Sequence, residues 1–86
     1  TEVEDAALSL PMVKDCVCIP AQHRVLGTVL KLLVVLAEGH VLDKRAIAKG
    51  LQAAQLENYK IPMLYEQVEE IKRTYNGKID RKAYAP

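Results

Sequence analysis

The stretch "RTYNGKIDRKAY", Arg73 to Tyr84, concentrates the residues that could do chemistry. Asn76-Gly77 is a pair that makes tight turns, and Lys78 follows it directly. The spacing leaves two readings open: a solvated surface turn that carries charge, or a lysine placed for reaction. From Lys72 to Pro86 five basic residues stand against one acid, Asp80, and Glu66, Glu69 and Glu70 form an acidic stretch just before. Charge runs of this kind are usually two solvated surfaces, and turn chemistry alone favours that reading.

Other reactive types are scattered. Cys16 and Cys18 sit two apart in "DCVCIP". On a strand they share a face, and such close neighbours rarely bridge. With no C-x-x-C and no adjacent His, a zinc site is a poor reading; two buried or half-buried free thiols fit better. His23 and His40 stand alone, Ser9 is the only serine, and the four glycines are too dispersed to cradle a phosphate. No carboxylates pair in an acid–base pattern. By spacing alone the chain has no self-sufficient active site and no metal site.

The elements that must position these groups follow from periodicity. Val3, Ala6, Ala7 and Leu10 repeat at helical spacing, with Thr1 and Glu4 able to form a capping box and Pro11 as the stop. "VKDCVCIP" reads as a strand, Ala21 to Gly27 as a polar connection, and "TVLKLLVVLAEG" as a second strand whose continuous apolar run predicts burial on both faces. Asp43 is a good N-cap for a helix to about Leu56. Inside it, Gly50 suggests close packing against the sheet. "MLYEQVEEI" suits helix or strand by spacing. After the Asn-Gly turn, "DRKAYA" reads as a short last helix capped by Asp80. The result is an α+β fold, a small three-stranded sheet with two main helices packed on it and a short C-terminal helix.

Eighty-six residues suit one domain, and half of them are hydrophobic, enough for an aliphatic core without Trp or Phe. A net charge of +1 gives no global pull towards nucleic acid or an anionic membrane. The longest apolar run is too short to span a bilayer, and no signal peptide stands at the start. Free thiols suit a reducing compartment, so the expected location is cytoplasmic.

One family joins these pieces. "TEVEDAALSLPMVKDCVCIP", "GTVLKLLVVLAEG", "LENYKIP" and above all "RTYNGKIDRKAY" resemble, in this order, the C-terminal subdomain of the AMP-forming ligases. That superfamily includes acyl-CoA synthetases, peptide-synthetase adenylation domains and luciferases. The resemblance covers essentially residues 1–86 and makes Met63 to Ile71 a strand. Lys72 stands where the family usually has proline, and Tyr75 where a small residue is common.

The resemblance implies that Lys78 is the adenylation lysine, with Thr74, Asn76, Gly77 and Arg81 shaping or bracing its turn. Asn76-Gly77 would take positive φ and hold the lysine at the tip. It also implies ATP and Mg, bound mainly by a large N-terminal domain that these residues do not contain. The other partners would be a carboxylic acid and CoA, or a carrier-protein phosphopantetheine in the peptide-synthetase alternative. Acyl-AMP would form first and the thioester second, and 1–86 alone would be inactive. Acetylation of such a lysine would remove its charge. A small nucleic-acid- or protein-binding module is the reading from another class.

Overall fold

The computed structural model describes residues 2–84. The order is α1 (Glu2–Leu8), β1 (Val13–His23), β2 (Gly27–Leu36), α2 (Lys44–Ala53), a 3-10 turn (Asn58–Lys60), β3 (Leu64–Gln67) and a second 3-10 turn (Arg81–Tyr84). This is the expected α+β arrangement. Thr1, half of the anticipated capping box, and Ala85, the end of the anticipated last helix, lie outside the described residues.

The sheet is mixed, in the order β1-β2-β3. β1 and β2 form an antiparallel hairpin closing at His23↔Gly27, whereas β3 runs parallel to β2 from Lys31↔Leu64 to Val34↔Gln67. A parallel neighbour requires a crossover, and α2 supplies it.

The double-sided burial expected of β2 is present. Leu32 and Val34 join Val3, Ala7, Cys16, Ile47 and Leu51 in a cluster beneath the two helices. Leu33 and Val35 face the other way and join Val17 and Ile71, with Ile79 and Tyr84 packed against them. The helices therefore cover one face, and the chain after β3 crosses the other. That second layer brings the Lys78 turn over to β1.

Local chemistry explains where the elements depart from expectation. Ala21 to His23 extend β1, so the polar connection shrinks to a three-residue loop, Arg24 to Leu26. His23 anchors this loop, its Nδ1 accepting from the Val25 and Leu26 N–H groups at 3.1 Å each. Pro20 sits within β1, an edge strand, where a missing N–H costs no ladder bond.

Asp43 caps α2 as expected, its Oδ1 accepting from Ala46 N–H at 3.1 Å. The helix nevertheless ends at Ala53, because Gln55 turns left-handed at φ 63 and the chain cannot continue the spiral to Leu56. β3 stops at Gln67, four residues long, short of the Met63 to Ile71 span. Val68 still donates to Val34 O, but Ile71 is taken into the second cluster and draws the chain off the sheet edge. Gly50 does allow a close approach, although its neighbour is Leu10 rather than the sheet. A Cβ placed there would lie 2.5 Å from Leu10 Cδ2.

Candidate functional site: the Lys78 turn and its anchors

Arg73 and Ile79 form an isolated antiparallel bridge. Inside it, Thr74 N–H donates to Lys78 O at 2.7 Å, and Gly77 N–H donates back to Thr74 O at 2.9 Å. The loop is thus Tyr75-Asn76-Gly77, three residues, with a β-turn centred on Tyr75-Asn76. Only Gly77 takes positive φ, at +85. A three-residue hairpin closed by a left-handed glycine is a common solution, and it differs from the expected turn, in which Asn76-Gly77 takes positive φ and Lys78 sits at the tip. Tyr75, fully exposed, occupies the tip. Lys78 stands one step back, on the returning arm opposite Thr74.

Thr74 and Asn76 tighten the loop from within. Thr74 Oγ1 donates to Asn76 Oδ1 and lies 3.2 Å from Lys78 O. Arg73 Nη1 also reaches Gly77 O at 3.2 Å. The turn is therefore stitched together by its own residues.

Two ion pairs anchor it to the body. On the entering side, Arg73 Nη2 lies 2.6 Å from Asp15 Oδ2. On the leaving side, Arg81 forks onto Glu4 with contacts of 2.7 and 3.1 Å, a bidentate geometry favoured by planar guanidinium. Between them, Lys72 N–H donates to Tyr84 Oη at 2.8 Å, and Asp80 N–H donates to Lys72 O at 2.9 Å. Asp80 opens the last 3-10 turn through its carbonyl, which accepts from Ala83 N–H at 3.1 Å.

Glu4 is a charged residue held in the interior, only 4% exposed. Its Oε2 also accepts from Cys18 N–H at 2.7 Å. Burial raises the carboxyl's pKa, but the Arg81 guanidinium and the Cys18 N–H outweigh it and hold the group below its ordinary value. The same contact raises Arg81.

Charge is thus sorted within the basic segment. Arg73 and Arg81 are engaged by carboxylates. Lys78 is exposed, and among the described residues it has no ion-pair partner. The structure brings Thr74, Asn76, Gly77 and Lys78 into one turn and sets Arg81 at its base. Sequence reasoning missed Glu4, Asp15, Arg73 and Tyr84 as its supports, since those partners are joined only by the tertiary fold. The cysteines behave as expected: both free, Cys16 buried and Cys18 half-buried on the helix face.

A small α+β body with a braced, lysine-bearing hairpin near its end defines a recognisable class. The family described as "AMP-binding enzyme C-terminal domain" matches residues 2–78, and the chain belongs to it. Gramicidin S synthase 2 of Brevibacillus brevis is 35% identical over 83 residues, which cover 95% of this chain and 2% of that protein. An uncharacterised acyl-CoA ligase of Bacillus subtilis is 34% identical over 83 residues, covering 93% of this chain and 16% of that one. Among solved structures, an acyl-CoA synthetase of Brucella canis superposes with a TM-score of 0.84 at 26% identity, over 96% of this chain and 16% of that one. The chain therefore spans between 2% and 16% of the length of these relatives. No helix among the described residues is long and apolar enough to cross a membrane.

Proposed function

We infer that this chain is the mobile C-terminal lid of an AMP-forming acid–thiol ligase, and that Lys78 is its adenylation lysine. The observation that carries this reading is the sorting of charge at the turn. Both arginines beside Lys78 are neutralised by carboxylates, and of the exposed lysines left in this segment, Lys72, Lys78 and Lys82, it is Lys78 that stands on the braced hairpin.

Such a group suits a phosphate. In adenylation a carboxylate oxygen attacks the α-phosphorus of ATP, the bond to pyrophosphate breaks, and acyl-AMP forms. Negative charge crowds the transferring phosphoryl group, and an ammonium delivered into a water-poor cleft stabilises it strongly. In this reading Mg and most of the ATP contacts belong to the large N-terminal domain; among the described residues no three His, Cys, Asp or Glu side chains gather around a metal position. That domain, a carboxylic acid and a thiol complete the reaction. CoA is the favoured thiol; the likeness to a gramicidin synthase keeps a carrier-protein phosphopantetheine as the second acceptor. The nucleic-acid reading is weakened because Arg73 and Arg81 are already engaged.

The test is Lys78→Ala in the protein that joins this chain to its large domain. ATP–pyrophosphate exchange should fall by about a hundredfold or more, the scale of losing one electrostatic stabiliser of the transition state. Thiol transfer from preformed acyl-AMP should stay largely intact. Equal loss of both half-reactions would overturn the assignment.

A further inference from the structure

We propose that Glu4 and Arg81 form a clasp that positions the Lys78 turn by tying the chain's last 3-10 turn to its first helix around the outer edge of β1. The inference rests on the reading of Lys78 given above for its catalytic meaning, but not for its structural content.

The clasp joins residues 77 apart in sequence. Glu4 belongs to the helix layer, whereas Arg81 lies in the segment that covers the opposite face through Ile79 and Tyr84. The route between the two layers passes the free edge of β1. There Glu4 Oε2 accepts from Cys18 N–H at 2.7 Å, and Arg81 Nη1 lies 3.5 Å from Cys18 O. One carboxylate and one guanidinium thus satisfy both backbone groups of Cys18 on the edge that, among the described residues, no strand covers. Asp15 Oδ1 accepts the Cys16 N–H at 2.9 Å on the same edge, while Asp15 Oδ2 holds Arg73.

The turn is therefore suspended between two edge anchors. They differ in depth: the Glu4 side chain is 5% exposed against 23% for Asp15. A deep, bidentate contact fixes direction as well as distance, because both oxygens and both nitrogens must align. Glu4 and Arg81 are positioning residues in this scheme. Neither needs to touch substrate; they set where the Lys78 ammonium points relative to the rigid sheet. The hairpin's internal bonds keep its shape, and the clasp sets its orientation on the body.

The experiment compares Glu4→Gln, Arg81→Lys and the Glu4→Gln/Arg81→Lys double variant with the parent chain. It reads backbone order parameters by NMR at a temperature where each is folded. Thr74, Gly77 and Ile79 should drop from the rigid range near about 0.85 to below about 0.6, while β1 and β2 stay rigid. The double variant should loosen the turn no further than the worse single one. Unchanged order at the turn in both singles, or equal loosening of turn and strands, overturns the proposal. Should Glu4→Gln fail to fold, Arg81→Lys gives the same reading with the carboxylate kept.

In the ligase the single variants should lower kcat for pyrophosphate exchange by about tenfold, leave KM for ATP in place, and spare thiol transfer. A fall in both half-reactions together overturns positioning. If Lys78→Ala leaves exchange intact, the catalytic reading fails by itself, and the order parameters alone decide the clasp.

Discussion

Cys16 and Cys18 share a strand face, yet their reactivity should differ with depth. Burial, followed by the Glu4 and Asp15 carboxylates, pushes the Cys16 thiol up to about 12. Burial and then Glu4 also raise Cys18, which is less deeply placed. Only the thiolate alkylates, so both should react slowly in the folded chain. At pH 8 we expect Cys16 to be modified at least about a hundredfold more slowly than in urea, with Cys18 intermediate. Peptide mass spectrometry after timed iodoacetamide treatment resolves the two sites. Cys16 labelling at the denatured rate would contradict the burial argument.

At the scale of the element, the hairpin around Lys78 hangs on one backbone conformation. Gly77 sits at φ +85 with nothing within 4 Å of an added Cβ, so a side chain there meets conformational cost without a clash. Gly77→Ala should lower unfolding free energy by about 1 kcal/mol, and Gly77→Asn by less, because Asn tolerates the left-handed region. Urea titration of the two variants measures both; an Ala variant as stable as the parent would remove the strain argument. The same element shows how far the sequence carries. Asn76-Gly77 announces a turn, and Lys78 beside it is visible as a candidate. Which residue lies left-handed and which forms the tip depend on where Thr74 meets Lys78, a pairing set by the Arg73–Asp15 contact and by Ile79 packing on the sheet. Asp43 was legible as a cap because its partner lies three residues away. The end of β3 was not, because Ile71 answers to Val17, Leu33 and Val35, which belong to other strands. Glu4 was harder still. Its sequence neighbourhood offers a local capping role, and its guanidinium partner comes 77 residues later.

Across the whole molecule, two apolar clusters on opposite faces of one thin sheet need something to hold their outer layers in register. The radius of gyration, 12.6 Å, lies close to the roughly 12 Å expected for a single packed body of this length. The Glu4–Arg81 contact joins the two layers around the sheet edge, so its energy should appear in global stability and carry a pH signature. The carboxyl's folded pKa lies below its ordinary value of 4.5. The unfolded chain therefore takes up the proton more readily, and stability from this group is fully present above the unfolded value. It is lost as pH falls through the folded one. Around neutral pH, Glu4→Gln should cost about 2 kcal/mol, the range for a hydrogen bond to a charged partner. That difference from the parent should persist down to about pH 5 and shrink as the pH is taken below the ordinary carboxylate range, since both proteins then carry an uncharged group opposite Arg81. Urea unfolding at pH 7, 5, 4 and 3 follows the difference directly. A gap that stays constant to the lowest pH would mean that the ionisation of Glu4 contributes nothing to the pair.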